Sequence, residues 1–555
     1  MASEPQHLKQ GESLGAQPMS LFARLISLAL LAAASCLVAM ALCFVVAQVR
    51  GSFSSGGWFN RFWFVFFAIT CFAGGTFVVC RDWLATKPER LYLVVVLCMT
   101  TLFSWSFSVR ELGWDVGTHY RNILRLADWE GDVEATTSDL SIIQTNPPDV
   151  GDGGELRTID AQEEVLDEQD AQFATTLDRP TGLLAYATSV EYLPYALTMS
   201  VCGLCGLSFS RTLLLVRLTG GIVYSIVTFL GMRKLRWGKM LYAAIALLPT
   251  AVFLAAELGY SYWLLSLCLY GFATLMGMMQ DNVRVRIPSL LGMLAALFVG
   301  MLPRVVYFPL IFLCLLVPTE RFSSKRLAWA YRTLIIGSAF AALGVWLVPR
   351  LMAGLGSGDS RGGGTVDPTA QVAYILSHPL EYAQTLLRFV MPPLSMEGGV
   401  PDTEGHNLIG GFLSVEASPG LLANYGYLPR TQWPFTAVLW VVLLWTTLTD
   451  KDHTHRLGIL PGIVSLVLCL GVFLMIVTAL YFDFTPVGLD EIHGVQRRYL
   501  LPMIFPLLMF VGPTFLGLTG ESRRTNATWY NGSVLGCMTA ILLGSFWCSC
   551  ISLIV

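Results

Sequence analysis

Charge is scarce in this chain. Asp, Glu, Lys and Arg together make up 13% of 555 residues, where soluble domains carry about 25%. With 54% of residues hydrophobic, too little polar surface exists to keep a globule in water, which excludes a soluble protein and leaves an integral membrane one. An excess of positive charge is also lacking. The formal net charge is -3, so nothing suggests a nucleic-acid partner. Cysteines number 13, but few lie where a disulfide framework needs them: Cys36, Cys43, Cys71, Cys98, Cys268, Cys314 and Cys469 fall inside apolar runs. The Cys202/Cys205 and Cys548/Cys550 pairs have no second ligand pair nearby and read as small packing residues rather than metal or redox sites. No lysine of the phosphate-loop type follows the glycine-rich Ser357–Gly364 stretch, which reads as linker. There is no short internal repeat and no inverted-repeat signature of a secondary transporter. A cleavable signal is missing too, because the first apolar run, Leu21 to Val49, is too long for one and reads as a retained span.

What is present is a succession of apolar segments. Since about 20 apolar residues cross a hydrocarbon core, the chain is expected to be an all-α polytopic membrane protein with about 13 transmembrane helices. They fall near 21–48, 61–80, 91–109, 212–232, 240–256, 261–280, 287–302, 304–318, 330–349, 434–449, 457–480, 498–518 and 534–555. Residues 189–208, with Pro194 near their start, are read as interfacial or re-entrant. Lys and Arg collect on cytoplasmic loops. Arg81, Lys87 and Arg90, then Arg233 to Lys239, then Arg284 and Arg286, Arg321 to Arg326, Lys451 and Arg456, and Arg523 and Arg524 all agree if the N-terminus is inside. The organisation expected is a cytoplasmic tail at 1–18, N-terminal spans at 19–109, a first large outer loop at 110–188, a central bundle at 189–349, a second outer loop at 350–431, and C-terminal spans at 432–555 with an outer loop at 481–497. The first outer loop is acidic between Asp128 and Asp170. Carboxylates at that density suit a hard divalent cation, or form no more than a solvated acidic insert.

Candidate chemistry gathers at the outer helix ends. Asp115 and His119 share one face if their turn is helical, where an apolar segment meets water. Asp115 there is placed as a general base toward a hydroxyl, with His119 orienting it or touching a phosphate; the structural alternative is a helix cap. Arg497 and Arg498 stand at the mouth of a late span, on the side where positive charge is disfavoured. They suit a lipid phosphate or pyrophosphate, or salt bridges to Asp490 or Glu491. Arg304 and Tyr307 lie between two short spans, and Arg304 is either a second phosphate contact or half of an intramembrane ion pair. Arg217, within an apolar span, raises the same question, and Glu257, after an apolar run, is a candidate to pair with one of these. Tyr192-Leu193-Pro194-Tyr195 reads as an interfacial aromatic anchor. His453 and His455 read as part of a solvated turn, and the sequons at Asn526 and Asn531 fall on the inner side, where they are inert.

Together these pieces resemble a bacterial family of multispanning membrane proteins, domain-of-unknown-function family 2142. In that family a D-E-x-x-H motif follows an early span, a Tyr/Pro segment enters the membrane, a basic residue and a Tyr stand between central spans, and G-V-Q-G-R-Y-x-x-P opens a late span. The corresponding residues are Asp115 and His119; Tyr192 to Tyr195; Arg304 with Tyr307; and Gly494, Val495, Gln496, Arg498, Tyr499 and Pro502. The likeness runs from about residue 90 to 515. Val116 replaces the acidic residue after Asp115, and Arg497 replaces the second glycine. The family in turn is similar to type C glycosyltransferases, polytopic enzymes that use polyprenyl-phosphate-linked sugars at the outer membrane face. The resemblance implies a transferase of the bacterial plasma membrane, moving sugar from a lipid-linked donor to a glycan or lipid acceptor. Asp115 and His119 would be catalytic; Tyr192, Arg304, Tyr307, Gln496, Arg497, Arg498 and Tyr499 would bind substrate. The competing expectations are a transporter or flippase of lipid-linked saccharides, and a non-catalytic component of envelope polysaccharide assembly.

Overall fold

The computed structural model describes residues 21–50, 58–106, 116–127, 189–280, 284–353, 366–390, 433–450, 458–515 and 527–547. All regular structure among them is helical. Helices are what apolar segments of this length must form in hydrocarbon, where every backbone N–H and C=O has to be satisfied within its own segment.

The chain divides into two units, residues 1–87 and 88–555. In the first, α1 (Leu21–Arg50) and α2 (Arg61–Val79) pack together, and a short α3 (Arg81–Thr86) follows. The Arg24 guanidinium donates to both Asp82 oxygens at 2.8 and 2.6 Å and lies 4.9 Å from the Trp83 ring centre. A forked bond of this kind fixes the start of α1 against the residues that follow α2.

The second unit begins with α4 (Pro88–Ser106) and α5 (Val116–Ala127), then α6 (Leu193–Leu204) after a 3-10 turn at Val190–Tyr192. There follow α7 (Phe209–Met232), α8 (Lys239–Ala246), α9 (Pro249–Ala256), α10 (Ser261–Gln280) and α11 (Ile287–Met301). A 3-10 helix, Leu302–Leu316, leads to α12 (Lys325–Ala353), α13 (Pro368–Ser377), α14 (Pro379–Val390), α15 (Trp433–Thr449), α16 (Ile459–Phe484), α17 (Leu501–Phe515) and α18 (Ala527–Phe546).

Helix-end contacts sort this unit into two polar ends. At one, Lys239 meets Glu89 at 3.0 Å, Gln280 bonds Arg236 N and Trp237 O, Val285 N donates to Arg321 O, and Asp450 takes the N–H groups of Met240 and Leu241. At the other stand Phe103, Ala256, Tyr260, Arg304 and the segment before α17. Between them α8 and α9 form the innermost strut. Every residue from Met240 to Ala256 is buried, as a helix pair apolar on all faces requires. Pro249 breaks the strut into two pieces bent by 56°, because it supplies no N–H to the preceding turn. Small residues let neighbouring helices close on each other: a Cβ on Gly277 of α10 would meet the Lys234 carbonyl oxygen that follows α7.

Six helical stretches among the described residues are long and apolar enough to cross a membrane: Phe22–Val49, Arg211–Met232, Ser261–Gln280, Ile287–Leu316, Lys325–Gly344 and Ile459–Phe484. The bent α8–α9 pair would be a seventh. That is fewer than the 13 or so expected. The difference has a physical source: Trp63–Val79, Val438–Thr449 and Arg498–Gly512 are apolar but short, so length alone does not make them spans. The Ile287–Leu316 stretch is not one straight rod. Arg304 leaves helical geometry (φ -141°, ψ 83°), and the Phe298 and Phe308 rings touch at 5.5 Å. In a continuous α-helix those two residues would be about 15 Å apart along the axis. Val285 also bonds Arg321 beyond the far end, so the chain doubles back at Arg304. Residues 189–208 hold α6, whose 12 residues extend about 18 Å. Thr198 bonds Thr219 and the Tyr195 hydroxyl donates to Glu257 O, which keeps α6 beside the first half of α7.

Candidate functional site

Five separate segments bring polar side chains to the Arg304 end of the second unit. Four are delivered by a local break in helix, and the fifth by the start of one. The 3-10 turn at Val190–Tyr192 supplies Glu191 and Tyr192. The α9–α10 corner, where Glu257 turns extended (ψ 172°), supplies Glu257, Gly259 and Tyr260. The reversal at Arg304 supplies Arg304 and Tyr307, the 3-10 turn Arg497–Leu500 supplies Arg498 and Tyr499, and the first turns of α5 supply His119.

His119 is the hub on one side. Its Nδ1 and the Tyr192 hydroxyl share a hydrogen bond of 2.6 Å, and its ring meets Tyr260 edge-on at 5.5 Å. The same ring and the Glu257 carboxylate flank Gly259, where a Cβ would lie 3.5 Å from His119 Cδ2 and 3.8 Å from Glu257 Oε1. Tyr260 continues the chain of contacts: the Arg304 guanidinium stands 4.6 Å from its ring centre. A cation held over a tyrosine face keeps its charge in an apolar setting at low desolvation cost. Tyr307, three residues on, donates to the Tyr499 carbonyl at 2.7 Å and so ties the reversal to the turn that carries Arg498. Arg498 in turn faces Glu257 at 3.9 Å.

Two carboxylates complete the cluster. Glu257 is buried and its backbone oxygen accepts from Tyr195. Glu191 is buried as well, its backbone oxygen accepts from Tyr262 at 2.6 Å, and its Oε2 has no hydrogen-bond partner among the described residues. Burial pushes the Glu191 carboxyl up to about 7, against the opposing pull of the Arg304 charge. Burial, then the charge on Glu191, raises the Tyr192 hydroxyl, so Tyr192 stays neutral. The Gln496 side-chain oxygen is also buried without a hydrogen-bond partner among the described residues. The cluster thus offers two cations, an imidazole, neutral phenols and buried acceptors, which is the donor and acceptor set an anionic, hydroxyl-bearing ligand would use.

Of the residues singled out in the sequence, His119, Tyr192, Arg304, Tyr307, Arg498 and Tyr499 meet in this cluster, with Gln496 two positions from Arg498. Asp115 lies outside the described residues, one position before α5 begins, and the Arg497 side chain is outside them too. Asp490 pairs with Arg388 at 2.9 Å, while Glu491 stands 3.8 Å from His493, so the buried carboxylate facing Arg498 is Glu257. Arg217 has a different role from Arg304: it donates to Ala256 O and Phe103 O, at the last turns of α9 and α4. Asp450, just before the turn expected at His453 and His455, is half-buried and accepts from the Met240 and Leu241 N–H groups of α8; His453, His455 and Asn526 lie outside the described residues. Glu191 and Tyr260 were not anticipated. Glu191 carried one signal, a carboxylate beside a Tyr/Pro apolar segment; Tyr260 carried none. No group of three or more His, Cys, Asp or Glu side chains suited to a metal occurs among the described residues, and the acidic Asp128–Asp170 stretch lies outside them.

The model of one family, described as a predicted membrane protein (DUF2142), matches residues 161–508. The match takes in Tyr192, Arg304, Tyr307 and the Gln496–Tyr499 turn, and begins after Asp115 and His119. No curated protein and no solved structure matches the chain. The matched stretch is more than half of the chain, which therefore belongs to this family of membrane proteins.

Proposed function

From that membership and the cluster, we propose that the protein is a membrane glycosyltransferase that takes a sugar from a polyprenyl-phosphate donor and passes it to a glycan or lipid acceptor. The observation that carries this reading is the meeting of Arg304, Arg498, His119 and Tyr192 in one buried cluster, although the sequence scatters them over hundreds of positions. Guanidinium groups at the end of an apolar bundle suit a lipid phosphate, whose tail stays in hydrocarbon while its head reaches inward. In this reading Arg304 and Arg498 hold the phosphate and stabilise the charge it gains as the sugar leaves. Asp115 takes the proton of the attacking hydroxyl, and His119 positions one partner. The cluster faces the outside of a bacterial plasma membrane, the N-terminus lies inside, and the three shorter apolar helices, the second arm of the Arg304 reversal, α4 and α18 also cross, to bring the spans to about 13.

The test is sugar transfer by the purified full chain in liposomes holding a prenyl-phosphate-linked radiolabelled sugar. Arg304→Met and Arg498→Met are expected to abolish transfer, and Asp115→Asn to slow it by about a hundredfold or more while donor binding persists. Unchanged turnover in Asp115→Asn removes that residue from the mechanism. Movement of intact donor across the bilayer, with no transfer, would instead favour a flippase.

A further inference from the structure

Glu191 is buried and anchored through its backbone. It is 4% exposed, its backbone oxygen is tied to the Tyr262 hydroxyl, and its chain neighbour Tyr192 is tied to His119. Such a side chain has little freedom to swing to water. A buried carboxyl oxygen without a partner is unfavourable by about 1–3 kcal/mol, so a ligand able to satisfy it gains that much. Arg304 acts on Glu191 electrostatically, yet no ion pair joins the two among the described residues. An acid with a spare buried oxygen and a cation thus belong to one cluster, linked through Tyr192, His119 and Tyr260, without pairing directly.

We propose that Glu191, in its neutral form, donates a hydrogen bond to the phosphate that Arg304 holds, so that the site takes up a prenyl phosphate anion together with a proton. This rests on the phosphate reading of the two arginines. Ionised, Glu191 would repel the anion; neutral, its O–H is a donor and its second oxygen remains free for a sugar hydroxyl. The charged and titratable groups around it are Arg304 on the 3-10 helix, Tyr260 and Tyr262 at the start of α10, Tyr192 beside it, and, one contact further, His119 of α5 and Glu257 after α9. Burial raises the acid; its own backbone N–H and then Arg304 favour the ionised form but only partly offset that, which leaves the group poised near neutrality. Linkage is reciprocal: an anion that needs the proton raises the proton affinity, and its own affinity falls as pH climbs past the carboxyl's pKa.

The experiment is equilibrium binding of a fluorescent farnesyl methyl phosphodiester, whose single charge is constant in this range, to the full chain in nanodiscs of uncharged lipid. Affinity is expected to fall about tenfold between roughly pH 6 and pH 8, the limit for one linked proton per pH unit above the pKa. Glu191→Gln should bind about equally at both. Arg304→Met should bind poorly at both. His119→Asn controls for an imidazole, which ordinarily titrates in the same range, and should keep the slope. A flat profile in the unsubstituted protein, an undiminished slope in Glu191→Gln, or loss of the slope in His119→Asn overturns the role of Glu191 while leaving phosphate binding in place. Absence of binding at either pH overturns the phosphate reading, and this one with it. The unsubstituted and His119→Asn profiles decide even if Glu191→Gln does not fold.

Discussion

The Arg498 guanidinium faces the Glu257 carboxylate at 3.9 Å, with their side chains 10% and 5% exposed. The two come from the turn before α17 and the corner after α9, so the contact joins late and central parts of the chain. Removing one member takes a buried opposite charge away from the other. Arg498→Met is expected to destabilise the protein by about 3 kcal/mol, and Arg498→Met with Glu257→Gln to recover most of that, because the double variant leaves no buried carboxylate facing a neutral side chain. Thermal unfolding in nanodiscs measures both. Equal destabilisation in the single and double variants would show that the pair is not coupled.

His119 and Tyr192 supply a narrower test. Their 2.6 Å hydrogen bond orients the imidazole and fixes the end of the turn that holds Glu191. Tyr192→Phe removes only the hydroxyl and keeps the ring. A net hydrogen bond is worth about 1 kcal/mol, so sugar transfer should fall about fivefold with the unfolding midpoint nearly unchanged. A loss of the same size in stability, with turnover intact, would make this bond a structural one.

Much of this site was legible because charge inside an apolar sequence is itself a signal. Arg304 and Arg498 stand out in runs of Leu, Val and Phe, and both reach the cluster. Their partners were less visible. Glu257 pairs with Arg498 only because Pro249 bends the α8–α9 strut and the chain turns extended at its end, a three-dimensional event with no local charge pattern. Tyr260 is an aromatic among many, and nothing in its neighbours marks it as the seat of Arg304. The number of membrane crossings was less legible still. Hydropathy finds apolar length, but α15 and α17 are too short by length alone, and the Arg304 reversal hides inside one uninterrupted apolar run.

Close backbone approach gives a prediction at the opposite end. A Cβ at Gly277 would collide with the Lys234 carbonyl oxygen, a backbone atom that cannot swing aside. Among the described residues, a Cβ at Gly292 of α11 would meet the Tyr270 hydroxyl at 3.8 Å, an ordinary contact. Gly277→Ala should therefore destabilise by about 1–3 kcal/mol, the range for overpacking. Gly292→Ala should be neutral or stabilising by up to about 1 kcal/mol, because alanine is the better helix former. Unfolding midpoints of the two variants, compared side by side, check the sign of each.

Asp450 makes stability depend on pH in a stated direction. Its carboxyl accepts from Met240 N at 2.5 Å and Leu241 N at 3.0 Å, satisfying two of the N–H groups that the start of α8 leaves open. Burial pushes it up to about 6, and those backbone bonds, with Lys239, only partly offset the rise. The folded protein therefore holds this proton more tightly than the unfolded chain, where an aspartate titrates near 3.9. Between about 4 and 6 the folded state binds more protons, so stability falls as pH rises through that window and is flat above it. The contribution at its largest is about 2–3 kcal/mol, from a shift of about two units. Asp450→Asn keeps an acceptor for α8 but cannot ionise. The difference in unfolding midpoint between the two proteins, followed from about pH 4 to pH 7, should shift in favour of Asp450→Asn as pH rises and level off near 6. A constant difference would mean that Asp450 is not the buried acid its neighbours describe.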